Sequence, residues 1–111
     1  MKHSLLEQTA IQVVEDFGLE VQVLPQSEAA LLDLLADVVA HLVEKRLEYF
    51  MQILYSMDVD EGVMRYAFSG THGEPVNVVL ARAILEREKK KAATRLKYRP
   101  KVPRDWSVDI A

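Results

Sequence analysis

The chain has 111 residues, half of them apolar, a net charge of −3 and no cysteine. That length predicts one domain with a real core, and the missing cysteine excludes disulfides, thiolate metal centres and cysteine nucleophiles. No run approaches the roughly 18 to 20 apolar residues that span a bilayer. Glu7, Glu15 and Asp16 interrupt the apolar residues near the start, which does not fit a secretory signal, so the expectation is a soluble cytoplasmic protein.

The first helix is expected over residues 4–17. Ser4 and Glu7 have the S-x-x-E form of a capping box. Leu6, Ala10, Val13, Val14 and Phe17 recur at helical spacing, and Gly18 is placed to stop the helix. Residues 19–24, LEVQVL, alternate too briefly to build a sheet, and with Pro25 following they read as an extended connector.

Ser27 then caps a long helix, with Glu28 suited to its dipole. From Ala29 to Met57 there is no Gly or Pro, which predicts one continuous helix over residues 28–57, roughly 42 Å long at about 1.5 Å per residue. Leu32, Leu35, Val39, Leu42, Tyr49 and Ile53 share one seam, and Leu31, Leu34, Val38, Val43, Leu47, Phe50 and Leu54 widen it. So wide an apolar arc calls for several neighbours.

Asp58-Val59-Asp60-Glu61 offers a second capping box, leading into a short helix over residues 59–68. Ser69 to Gly73 is a loop. Glu74-Pro75 opens a last helix over residues 75–98. Its apolar stripe is strong from Val76 to Ile84 and thins after Leu85 to Ala92, Ala93 and Leu96, so this end is expected to project from the core. Pro100 ends it.

The strongest global feature is the separation of charge. Residues 1–81 hold four basic residues against thirteen acidic ones, a balance of −9. Residues 82–104 hold ten basic residues against Glu86 and Glu88, a balance of +8. Arg87, Lys91, Arg95 and Arg99 follow at intervals of four, a gently winding stripe on a helix, with Lys89, Lys90 and Lys97 beside it. Like charges at that spacing repel by a few tenths of a kcal/mol per pair, partly offset by Glu86–Lys90, Glu88–Lys91 and the helix dipole.

Four readings of this stretch follow. It is a solvated helix end; or it meets acidic residues of its own fold or of a partner, with Asp33, Asp37, Glu44 and Glu48 as the expected counterpart; or it binds nucleic acid through phosphates, with Tyr98 and Trp106 stacking on bases; or it lies on an anionic membrane. The −9 balance of residues 1–81 opposes a polyanion. Leu96, Tyr98 and two alanines make too poor an apolar face for a membrane.

Other motifs fail on inspection. Counted as a calcium loop from Asp58, position 5 is Gly62, position 6 Val63 and position 12 Ser69, none of them the residue required. Asp37, His41 and Glu44 share one side of a helix, but no Glu-x-x-His motif accompanies them; a metal-dependent bundle enzyme is the remote reading. Ser27, Ser56 and Ser69 lack a nucleophile-elbow sequence, and no phosphate-binding glycine loop is present.

The expected architecture is all-α, a small bundle of about four helices with two long antiparallel helices over residues 1–99 and a disordered or extended C-terminal tail over residues 100–111. Leu35, Val39, Leu42, Phe50 and Ile53 are expected in the core or in a homodimer interface, since a symmetric pair would cover the wide arc. The expected function is a non-enzymatic interaction module without cofactor or metal. Arg87, Lys89, Lys90, Lys91, Arg95, Lys97 and Arg99 would contact an acidic protein partner, with nucleic acid as the alternative.

Overall fold

Ser4 and Gly18 bracket the first helix as their chemistry requires. In the computed structural model, which describes residues 4–97, the Ser4 Oγ accepts from the Glu7 N–H at 3.0 Å and opens α1 (Leu5–Phe17). Gly18 takes the left-handed conformation, φ 61. Its N–H reaches the Glu15 carbonyl at 3.3 Å while the Leu19 N–H reaches that of Val14 at 2.9 Å, which satisfies two end carbonyls at once. Residues 19–27 connect without forming a strand. Ser27 then caps α2 (Glu28–Lys45), its hydroxyl accepting from the Ala30 N–H at 3.0 Å.

The long helix is two helices. α2 ends at Lys45, Arg46 leaves helical geometry at φ −145 and ψ 54, and α3 (Leu47–Ser56) begins anew. The break costs little backbone hydrogen bonding at Arg46 itself. Its N–H still reaches the Leu42 carbonyl at 2.8 Å, and its own carbonyl accepts from the Phe50 N–H at 3.0 Å. Its guanidinium lies 4.3 Å from the centre of the Tyr49 ring. The break shifts the phase of the buried face. A straight helix would turn Tyr49 and Ile53 inward, whereas Phe50 and Leu54 are fully buried, Tyr49 is 40% exposed and Ile53 is half-buried at the core's edge. Leu35, Val39, Leu42 and Phe50 therefore belong to the core of a single copy, whereas Leu47 and Tyr49 of the same arc stay exposed.

Asp58 ends α3 rather than starting the next helix. It sits at φ 61, a conformation Asp tolerates better than most residues. Its N–H bonds the Tyr55 carbonyl, and the Val59 N–H bonds that of Leu54. The cap of α4 (Glu61–Ser69) is instead Asp60, whose Oδ1 accepts from the Gly62 N–H at 2.8 Å.

The last helix, α5 (Val76–Lys97), is the spine, packing along α1 and α2 and against α4. Glu28 at the start of α2 meets Lys89 at 3.0 Å, while the Ala36 carbonyl accepts from Asn77 Nδ2 at 3.1 Å. Later residues of α2 thus meet earlier residues of α5, the antiparallel sense expected. The core joins all five helices through Val13, Leu35, Phe50, Met64, Leu80 and Ile84 among others. The expected projection of the basic half of α5 does not occur as far as Ala92, which is fully buried, although Leu96 is exposed. The tail expected over residues 100–111 lies outside the described residues. Among those described, no helix is long and apolar enough to cross a membrane.

Candidate functional site

The basic run of α5 meets acidic residues of its own fold, but not those the sequence pointed to. Lys89 Nζ reaches Glu28 at 3.0 Å and Glu86 at 3.5 Å. Lys91 Nζ reaches Asp16 Oδ2 at 2.9 Å, and Arg95 Nη1 approaches Glu15 Oε1 at 3.8 Å. Asp33, Asp37, Glu44 and Glu48, the expected counterpart, are exposed, and Glu44 pairs with Lys45 at 3.6 Å. The reason is the placement of α5. Its basic half lies over the C-terminal half of α1 and the first turn of α2.

These pairs divide the run between two faces. Lys89 is turned toward α2. Arg87, Lys90, Lys91 and Arg95 line a groove of about 440 Å³ between α5 and the α3–α4 turn, whose opposite wall is Ser56, Met57 and Asp58. Arg87 is held there by a hydrogen bond from its Nε to the Met57 carbonyl at 3.1 Å. Lys90 is exposed and makes no ion pair among the described residues. Lys97 is exposed in the last turn. Arg99 lies outside the described residues, as do Tyr98 and Trp106.

Glu88 also lines this groove, yet its side chain is only 1% exposed. Burial, then the adjacent Asp16 carboxylate, pushes its carboxyl up to about 8, against the opposing pull of Lys91 and Arg95. Burial acts upward on Asp16 too, but hydrogen bonds from Lys91, Glu88 and Gln12 outweigh it and hold that group below the usual carboxylate range. At neutral pH the pair is a carboxylic acid on Glu88 hydrogen-bonded to a carboxylate on Asp16, the arrangement expected when two like charges share one site. Gln12 Nε2 donates to Asp16 Oδ1 at 3.3 Å. Gln12 Oε1 and Glu88 Oε2 are buried without a partner.

Two carboxyls sharing a proton can serve acid–base chemistry, but Glu88 presents almost none of its surface to the groove it lines. The pair instead fixes how α1 lies on α5. The sequence carried a signal for Glu88: it continues the stripe of Ala81, Ile84, Leu85 and Ala92, all buried, at helical spacing. Reading it as the helical partner of Lys91 concealed that.

The other candidate residues are dispersed. Asp37 and His41 line a shallow groove with Phe17, Leu19, Val38, Leu42 and Arg46, from which Glu44 is absent. Among the described residues, no three His, Asp or Glu side chains gather to hold a metal. Comparisons with protein-family models, with curated proteins and with solved structures find no match to this chain.

Proposed function

We propose that the chain is a small, cytoplasmic, non-enzymatic interaction module whose α5 groove takes an acidic segment of a protein partner. The observation that carries this reading is the groove itself. Four cations of α5 face a concave wall built by Ser56, Met57 and Asp58, with Lys90 unpaired among the described residues. A carboxylate entering there exchanges solvent for charge-assisted hydrogen bonds, which are about twice as strong as neutral ones.

An acidic protein fits better than nucleic acid. Arg87, Lys91 and Arg95 already hold partners within the fold, so the groove offers less uncompensated charge than the sequence implied. Among the described residues no aromatic side chain lines it, so the described part of the groove offers bases no stacking platform. The test is fluorescence anisotropy with a labelled oligoglutamate peptide and, in parallel, a single-stranded oligonucleotide of equal charge. The peptide is expected to bind the wild type in a salt-sensitive way and to lose affinity for Arg87→Glu and Lys90→Glu. No peptide binding, or binding indifferent to both reversals, refutes the reading. Tighter oligonucleotide binding that depends on the same residues transfers the groove to nucleic acid.

A further inference from the structure

A second surface differs from the basic groove in chemistry. α3 turns Phe50 and Leu54 into the core, and its other side stays open. There Met51 and Tyr55, with Met64 and Phe68 of α4, line a shallow groove of about 310 Å³. Tyr55 is 61% and Phe68 44% exposed. Such apolar surface rimmed by polar groups marks an interaction site more often than a bare solvent face.

The rim says what fits. It consists of Glu61 and Arg65, one helical turn apart and paired with each other at 3.7 Å, with side chains 71% and 76% exposed. One carboxylate and one guanidinium on one α-helix face make a patch that is neutral as a whole and complementary to itself after a two-fold rotation. That is the requirement of an isologous interface, in which residue i meets residue j and j meets i. An acidic partner or a nucleic acid would find its like charge in Glu61. The basic groove, by contrast, would repel a second copy of itself.

We infer that the α3–α4 groove is a self-association surface. A second copy of the chain sits across it, the Tyr55 and Phe68 rings of the two copies pack together, and Glu61 of each copy exchanges its own Arg65 for the partner's Arg65. This assignment is independent of the acidic-partner reading, because it uses none of the α5 cations.

Light scattering over a dilution series of the full chain tests it. The wild type is expected to dimerise, and Phe68→Asp to raise the dimer dissociation constant by about thirtyfold or more, as for a central aromatic contact. Glu61→Arg and Arg65→Glu are each expected to be monomeric, since each sets like charges opposite one another. Mixed together, these two variants are expected to form a heterodimer, and the double variant E61R/R65E to recover the dimer. All three residues changed are exposed, and an unchanged far-UV circular dichroism spectrum certifies each fold. A monomeric wild type overturns the inference, whether solvent or the chain's own residues 98–111 cover the groove. So does a dimer that withstands both charge reversals, or single variants that fail to pair on mixing.

Discussion

Replacing Glu88 with Gln should make the protein more stable at neutral pH while leaving its stability at pH 5 nearly unchanged. Glu88→Gln keeps the shape and the donor toward Asp16 but removes the ionisable proton. In the wild type the folded carboxyl titrates at about 8 against 4.5 for an ordinary glutamate. Below the ordinary value both folded and unfolded chains hold the proton, and stability is complete. As pH rises from there toward 8, the unfolded chain releases its proton and the folded one does not, so stability falls by about 1.36 kcal/mol per pH unit and then levels off. At pH 7 the loss is about 3 kcal/mol, a large part of the roughly 5–15 kcal/mol that holds a domain folded. Asp16 works in the opposite sense and elsewhere on the scale. Its depressed folded value gives stability that is present above its ordinary 3.8 and lost on acidification below it. Urea unfolding of wild type and Glu88→Gln at pH 5, 6, 7 and 8, followed by circular dichroism, gives the comparison. The expected result is a gap that opens between pH 5 and 8 with an unchanged denaturant slope. A gap constant over that range would refute the buried, protonated state of Glu88.

Three further outcomes follow from particular residues. Phe50→Ala should cost about 3–5 kcal/mol in urea unfolding, as for a fully buried aromatic side chain, whereas Tyr49→Ala should cost less than about 1 kcal/mol; the reverse order would restore the unbroken helix. Gly18→Ala should destabilise by about 1–2 kcal/mol, from the positive φ alone, because no atom lies within 4 Å of the added Cβ. Asp16→Asn should lower the pH at which Glu88 ionises, and carboxyl chemical shifts followed through a pH titration would show it; a titration midpoint that stays near 8 would mean that Asp16 has no part in raising it.

The helices were legible wherever the chain marks its own ends. Ser4, Gly18, Ser27 and Pro75 act locally, through a hydroxyl on a free N–H, a left-handed φ or a missing donor, so a few residues decide the outcome. The break at Arg46 has no such mark. Lys45, Arg46 and Leu47 all suit a helix interior, and the turn arises because it brings Phe50 and Leu54 into the core shared with Leu35 and Leu42. Tertiary packing decides there, and periodicity alone extends the seam one residue out of phase to Tyr49 and Ile53. The misplaced cap at Asp58 has a related cause: two aspartates two residues apart both suit a helix start, and only the closing turn of α3 assigns one to each task. At the candidate site the sequence identified the cations but not their partners, because ion pairs such as Asp16–Lys91 join residues far apart in the chain.

The separation of charge along the sequence takes on a different meaning in the fold. An acidic first stretch and a basic last stretch read as a protein with one strongly positive end, ready for a polyanion. Laid over α1 and the start of α2, the basic run instead satisfies Glu15, Asp16 and Glu28, and its central glutamate gives up its charge beneath it. Exposed pairs of this kind add little stability, typically under about 1 kcal/mol each, so they do not hold the bundle together; the apolar core does. Among the described residues their effect is to reduce the charge presented to a partner from a long stripe to a groove in which Lys90 is unpaired and Arg87 is tethered through a single nitrogen. A partner for such a groove must bring one or two carboxylates at a defined place rather than a continuous line of phosphates. That difference in geometry, more than net charge, is what supports the proposed acidic protein segment over nucleic acid.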